Sequence, residues 1–335
     1  MATMKDVAKA TGYSTATISR VFNGNDNVTP QTRRKIFKTA EKLGYKPNKM
    51  AAALRSGRSK TIGIVVPNID SEVFAAAIKS MEETLQQDDY HVIISQSHES
   101  FEEEIQIVQN LQNLQVDGII VSISKQTGNL DHLNKLRDMG VSVVLFDRSI
   151  EREEINSVLI NNFSGAYSAT EHLIQAGCKE IVHLAGKDHV GIFHERRRGY
   201  ETALSKYGLI LREENVIVFD QKESIGLDKL KQRLSVKERP DGIFAYGDIH
   251  ALMALGMINQ LGLRVPHDIK VVGFGNQSFC SYLSPGLSSI DQRDEDVGRL
   301  AASILLEELK NPQEKKVFTQ QMLSPELVVR ESSRM

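Results

Sequence analysis

The 335-residue chain predicts a small all-α helix-turn-helix head, joined by a hinge helix to an α/β body of two doubly wound parallel-sheet subdomains. Three observations predict this. The net charge of −2 hides a division: residues 1–60 hold thirteen Lys or Arg against Asp6, Asp26 and Glu41, a balance of +10, which leaves −12 for the rest. The first 46 residues carry three short helical patterns with their own caps. From Thr61 onward, apolar runs of strand length alternate with helical patterns.

In the head, Thr3 with Asp6 forms a capping-box signature that opens a helix to about Ala10, with Val7, Ala8 and Ala10 on its apolar face. Gly12-Tyr13 breaks it. Ser14 caps a second helix, Thr15 to about Phe22, in which Ile18, Val21 and Phe22 fall at i, i+3 and i+4. Two short helices around a tight glycine turn make a helix-turn-helix. Thr29-Pro30 opens a third helix, and Gly44 ends it. The expected shared core is Val7, Ile18, Val21, Ile36, Ala40 and Leu43. The polar face of the second helix carries Thr15, Ala16, Thr17, Ser19 and Arg20. In such a motif the start of the second helix meets base edges in the major groove. Arg20 suits a bidentate contact with guanine, Thr15 a hydrogen bond, and Ala16 a thymine methyl.

The hinge is Lys46–Lys60, KPNKMAAALRSGRSK. Pro47 forces an extended entry, Asn48 caps, Met50–Leu54 favour a helix, and Gly57 stops it. A helix of about two turns is marginal in water, so one this basic is expected to fold against a polyanion.

The body begins with TIGIVVP, an apolar run suited to a strand buried on both faces. A helix follows over Ser71–Gln87, then strands at His91–Ser95, Gly118–Ser122 and Val141–Phe146, with helices near Glu102–Leu114 and Leu130–Met139. A second series starts near Val158. Its strands lie at Glu180–Ala185, Val216–Phe219, Asp241–Tyr246 and Ile269–Phe274, and its helices near Ser164–Ala176, Glu195–Tyr207, Gly226–Leu234 and Ile249–Leu261. Ligands of such sheets bind off the C-terminal strand ends. Those ends carry Asn68–Phe74, Asp147-Arg148, Asn161-Asn162, Tyr246–Asp248 and Gly275–Phe279.

Several functions are disfavoured. Cys178 and Cys280 give neither a disulfide framework nor a metal spacing, and the nine histidines contain no HxxxH pair, so no metal and no cofactor is expected. The first strand runs into PNIDSE, with no glycine-rich phosphate loop, and no G-x-S-x-G elbow occurs, which argues against an enzyme. A free-standing solute-binding protein would carry a signal peptide and no basic head. The N-terminus lacks a signal pattern, and no apolar run reaches membrane-spanning length, so a cytoplasmic, nucleoid-associated protein is expected.

The segment MKDVAKATGYSTATISRVFNGNDNVTPQTRRKI resembles the DNA-binding head of the lactose-repressor (LacI/GalR) family. The family's DVA, S-x-x-T-[VI]-S-R-V-[LF]-N and [VT]-x-x-x-T-R-x-[KR]-[IV] blocks stand as Asp6–Ala8, Ser14–Asn23 and Val28–Ile36. GYKPN followed by A-x-x-L matches its hinge helix, and the resemblance runs over essentially the whole chain. It implies a transcription repressor whose body resembles periplasmic sugar-binding proteins. Its expected partners are a near-palindromic double-stranded DNA operator, a second copy of the chain, and a small polar effector, a sugar or sugar derivative. The expected DNA-binding residues are Thr15, Ala16, Thr17, Ser19, Arg20, Asn23, Thr29, Arg33, Tyr45, Asn48, Leu54 and Arg55, with Leu54 wedging into the minor groove. The expected effector residues are Ser71, Phe74, Asp147, Arg148, Asn162, Arg196, Asp248 and Asn276. Two departures stand out: Tyr246-Gly247-Asp248 for A-N-D, which keeps the aspartate, and Gly273-Phe274-Gly275-Asn276 for G-F-D-[DN], which loses one. The domain reading is residues 1–46, 47–60 and 61–335, with body halves of 61–160 plus 292–320 and 161–291 plus 321–332. No heptad pattern follows Val329, so no coiled-coil tetramerisation segment is expected.

Overall fold

A computed structural model describes residues 2–22, 28–45, 58–150, 154–187, 191–219, 223–311 and 318–334. Asn23, Asn48, Leu54, Arg55 and most of the hinge stretch lie outside the described residues. The chain forms two compact units, Met1–Lys60 and Thr61–Met335.

The first unit contains α1 (Met4–Thr11), α2 (Thr15–Phe22) and α3 (Pro30–Lys42). Local chemistry sets their ends. Thr3 and Asp6 cap each other's backbone, Gly12 closes α1 at φ 77°, and Thr29 caps α3 ahead of Pro30. Val7, Ile18, Val21, Ile36 and Ala40 form the shared core. Two expected apolar residues do not join it: Leu43 is 40% exposed and Ala10 is also exposed. Leu43 is the C-cap of α3, past the last helical turn, so the helical period no longer aims it inward.

The second unit holds two six-stranded sheets. The first orders its strands β11-β5-β4-β3-β1-β2, all parallel. These are β1 (Thr61–Val66), β2 (His91–Gln96), β3 (Gly118–Val121), β4 (Ser142–Phe146), β5 (Asn156–Ile160) and β11 (Gln320–Leu323). The second orders β12-β10-β9-β8-β6-β7, parallel except for the β10–β12 pair. It comprises β6 (Ile181–Ala185), β7 (Val216–Val218), β8 (Gly242–Ala245), β9 (Lys270–Phe274), β10 (Ser288–Asp291) and β12 (Glu326–Val328).

Helices cover the sheets: α4 (Glu72–Gln86), α5 (Phe101–Asn113) and α6 (Asp131–Asp138) in the first half, and α7 (Asn162–Gln175), α8 (Gly191–Lys206), α9 (Glu223–Ser235) and α10 (Asp248–Gln260) in the second. The last, α11 (Asp294–Lys310), returns to the first half and packs on α4. Gly298 permits that contact, since a Cβ there would stand 2.2 Å from both the Ala77 carbonyl oxygen and Ser80 Oγ. The chain therefore crosses between halves three times, after Ile160, after Asp291 and after Leu323. The last crossing falls beyond the expected boundary at 320, because β11 pairs with β5 through Leu323–Ile160 before the chain leaves the sheet. No helix among the described residues is long and apolar enough to cross a membrane.

Candidate functional sites: the head helix and the cleft of the body

In the head, Ser14 Oγ accepts the Thr17 N–H at 3.1 Å and fixes the start of α2. Burying Ile18 and Val21 turns Thr15, Ala16 and Arg20 outward, with Thr17 and Ser19 half-buried beside them. Lys35 Nζ donates to the Thr11 carbonyl at 3.1 Å and lies 5.3 Å above the Tyr13 ring, so α3 braces the turn between α1 and α2. Thr29 is spent on capping α3. Arg33 is half-buried on α3. Tyr45 packs edge-on against Phe22 at 5.4 Å, which commits its ring to the head's core.

In the body, the loops at the C-terminal ends of β3 and β4, the first crossover and the start of α8 enclose a cleft of about 720 Å³. Its lining includes Lys125, Asp147, Arg148, Asn161, Asn162, His194 and Glu195, backed by Ile160, Phe163 and Ile192. Asp147 sits at φ 64°, a left-handed conformation uncommon for a residue with a side chain and often found at binding sites. Its Oδ2 accepts Ser122 Oγ at 3.2 Å and lies 3.5 Å from Arg148 Nε. Arg148 grips Glu99 with both terminal nitrogens, at 2.8 and 3.1 Å, and donates to the Ile123 carbonyl. Burial alone would raise the Glu99 carboxyl. The Arg148 charge and hydrogen bonds, helped by Lys125, outweigh burial and hold it below the usual carboxylate range.

Behind the lining lies Arg196, 6% exposed. Its Nε donates to Asn162 Oδ1 at 2.8 Å, one terminal nitrogen to Gln292 Oε1 at 3.0 Å, and the other to the Tyr246 carbonyl. The guanidinium carbon stands 3.7 Å from the Phe274 ring centre. Burial pushes its pKa down to about 10, against the pull of Asp147, so it remains charged at neutral pH. Asn162 and Gln292 belong to two different crossovers, so one guanidinium ties α8 to both.

The expected effector residues therefore divide. Asp147, Arg148 and Asn162 line the cleft, and Arg196 lies behind it, holding Asn162. Phe74 does not line it: it is buried in the first half's core, edge-on to Phe146 at 6.0 Å. Asp248 is 1% exposed and internal, accepting Ser289 Oγ at 2.6 Å and the Gln277 N–H at 2.8 Å. Burial raises its pKa, with those hydrogen bonds opposing. Asn276 is held by Asp291 and Arg330, and Ser71 begins α4 without a side-chain cap; neither lines the cleft.

Four residues escaped the sequence reading. Gln292 and Asp294 sit at the second crossover, and Glu99 anchors Arg148. Glu104, fully buried, accepts the Ser124 N–H and Oγ at 2.6 and 2.7 Å and Thr127 Oγ1 at 3.0 Å, and meets His132 Nε2 at 2.9 Å. It thereby pins the loop that forms one cleft wall. A signal existed: Glu104, Val108 and Leu111 fall at i, i+4 and i+7, which puts a carboxylate in the apolar stripe of α5. The halves also meet directly, where the Ser278 N–H donates to the Glu72 carboxylate at 3.1 Å.

Residues 3–48 match the family described as bacterial regulatory proteins, lacI family, and residues 170–333 match the periplasmic binding protein-like domain. Catabolite control protein A of Priestia megaterium is 33% identical over 306 residues, covering 90% of this chain and 91% of that protein. The transcriptional repressor PurR of Erwinia tasmaniensis is 32% identical over 316 residues, covering 94% and 92%. Among solved structures, the lac repressor dimer bound to operator and the anti-inducer ONPF superposes with a TM-score of 0.86 at 25% identity, covering 99% of each chain. The complex of the regulator CelR with cellobiose gives 0.73 at 27% identity, covering 99% and 100%.

Proposed function

The chain belongs to the lacI family of bacterial regulatory proteins, transcription regulators rather than enzymes, and we propose that its grip on operator DNA is set by a small polar effector, a sugar or sugar derivative, bound in the cleft of the body. Arg196 carries this reading. A charged, buried side chain tied to Asn162 and Gln292 senses any change in how the two halves close. The relative with cellobiose and the lac repressor with its anti-inducer are similar proteins with small molecules bound.

On the DNA side, Thr15, Ala16 and Arg20 face outward from α2 and read one half-site. One half-site is short, so two copies of the chain act together on a near-palindromic operator. Effector and operator are then linked: each alters the other's affinity by the same factor. The test begins with selection of a binding duplex from a randomised pool. Anisotropy titrations of that duplex follow, with and without sugars and sugar derivatives. The reading requires at least one compound to change operator affinity in the wild type and to leave it unchanged in Arg196→Ala.

A further inference from the structure

The lining of the cleft changes character across the first sheet. Off the ends of β3 and β4 it is polar: Lys125, Asp147 and Arg148, with Asn161 and Asn162 at the crossover. Arg148 turns its terminal nitrogens onto Glu99 and the Ile123 carbonyl. Its Nε, buried 3.5 Å from Asp147 Oδ2, has no hydrogen-bond partner. The sheet continues from β4 to β5 and β11, and there the lining turns apolar. Leu159 of β5 and Met322 of β11 are register neighbours, and both line the cavity, with Gln320 as a polar neighbour. Ile192 of α8 and Phe163 of α7 join the lining from the second half.

None of these four apolar residues belongs to a hydrophobic core of the body. Ile123, Ile150 and Ile160 also touch the cavity, but they pack into the first half's cores. Strand alternation explains the difference. Val158, Ile160 and Leu323 face the core beneath α4 and α11, so Leu159 and Met322 face the other side of the sheet. Leu159 is buried there, while Met322 stays 52% exposed. Phe163 stacks on Tyr167 and lies under Arg198. Apolar side chains gathered on a cavity wall without a core to fill mark a ligand surface, and a methionine adapts well to one. From β4 to β11 is two strand spacings, roughly 10 Å. A single sugar ring held at Asp147 would leave the apolar end in water.

We infer that the ligand of this cleft has two unlike ends: it is a sugar carrying an apolar group, an aryl or alkyl glycoside. Its hydroxyls meet Asp147 and the crossover asparagines, and its apolar group covers Leu159, Met322 and Ile192. This rests on the cleft being the effector site. It adds the ligand's class and the residues that select it.

The experiment is calorimetric titration of the full chain with glucose, galactose and mannose, each against its phenyl glycosides. Benzyl alcohol serves as the ring without the sugar. The expected result is at least one phenyl glycoside binding on the order of tenfold tighter than its parent sugar and than benzyl alcohol. Its binding should also show the more negative heat-capacity change, the mark of buried apolar surface. Met322→Gln keeps the length of the side chain and makes it polar, and should bring the ratio of glycoside to parent towards one. Ile192→Asn makes the same test from α8 if the glutamine variant melts abnormally. The inference is overturned if no glycoside binds, if parent or benzyl alcohol binds as tightly, or if both variants keep the preference. A bare sugar that binds as tightly as its glycoside and shifts operator affinity removes the apolar end and leaves the effector reading standing. A preferred glycoside that leaves operator affinity unchanged supports the apolar wall and overturns the effector reading.

Discussion

Removing the Arg196 side chain should destabilise the body and uncouple it from its ligand. In Arg196→Ala, Asn162 Oδ1, Gln292 Oε1 and the Tyr246 carbonyl lose their donor together, and Phe274 loses the guanidinium packed at 3.7 Å. A buried acceptor left without a partner costs roughly 1–3 kcal/mol. Three would sum to more than that, but the variant also no longer buries a guanidinium, a cost visible in its pKa of about 10. The net expectation is a loss of about 3 kcal/mol. The chain has no tryptophan, so urea unfolding is best followed by circular dichroism. The midpoint should fall by roughly 1 M at similar slope. Arg196→Met retains the bulk against Phe274 and should fall nearly as far, because the orphaned acceptors are the same. If the methionine variant unfolds at the wild-type midpoint, the hydrogen bonds of Arg196 contribute nothing and the reasoning is refuted.

Other outcomes follow from particular residues. Arg20→Ala should cost about 1–3 kcal/mol at one operator position only, measured against a panel of single-base variants; an equal loss on every sequence would make Arg20 a phosphate contact. Asp294 holds its proton more tightly when folded than when unfolded, at about 8 against 3.8, so its contribution to stability is full below pH 4 and is lost as pH rises through 8. Melting temperature followed from pH 5 to 9 should therefore fall less for Asp294→Asn than for wild type. Glu104→Ala should free the loop carrying Ser124 and Thr127, lowering stability by roughly 2–4 kcal/mol; hydrogen exchange of that loop no faster than wild type would count against it. Asp248→Ala should unfold more easily because Ser289 and Gln277 lose their acceptor, and a wild-type melting temperature would contradict its placement in the interior.

The head was legible because its determinants are local. Thr3 with Asp6, Ser14, Thr29-Pro30 and Gly12 act on backbone groups within three or four residues, and the positions of Val7, Ile18 and Ile36 follow from helical period alone. Leu43 failed where the period stops, at the C-cap. The alternation of the body was legible for the same reason, since a strand buried on both faces must be apolar throughout.

The cleft was legible only as strand ends. Residues such as Asp147 and Arg148 can be listed from the sequence, but a strand end offers both an inward and an outward place. Asp248 and Phe74 went inward, to hydrogen bonds and to the core. The chain's three crossings decide the rest. Asn162, Arg196 and Gln292 meet because the second half is inserted between the two passes of the first, and no local propensity carries that information. So the sequence by itself determined most helix ends, strands β1–β4 and β6–β9, and the charge division between head and body, while β5, β10, β11, β12 and α11 emerged only in the structure. The tertiary structure decided which polar groups meet, such as Arg148 with Glu99 and Arg196 with Asn162 and Gln292. Pairing is a property of what surrounds a side chain in space, and here those surroundings come from segments as far apart as Asn162 and Gln292.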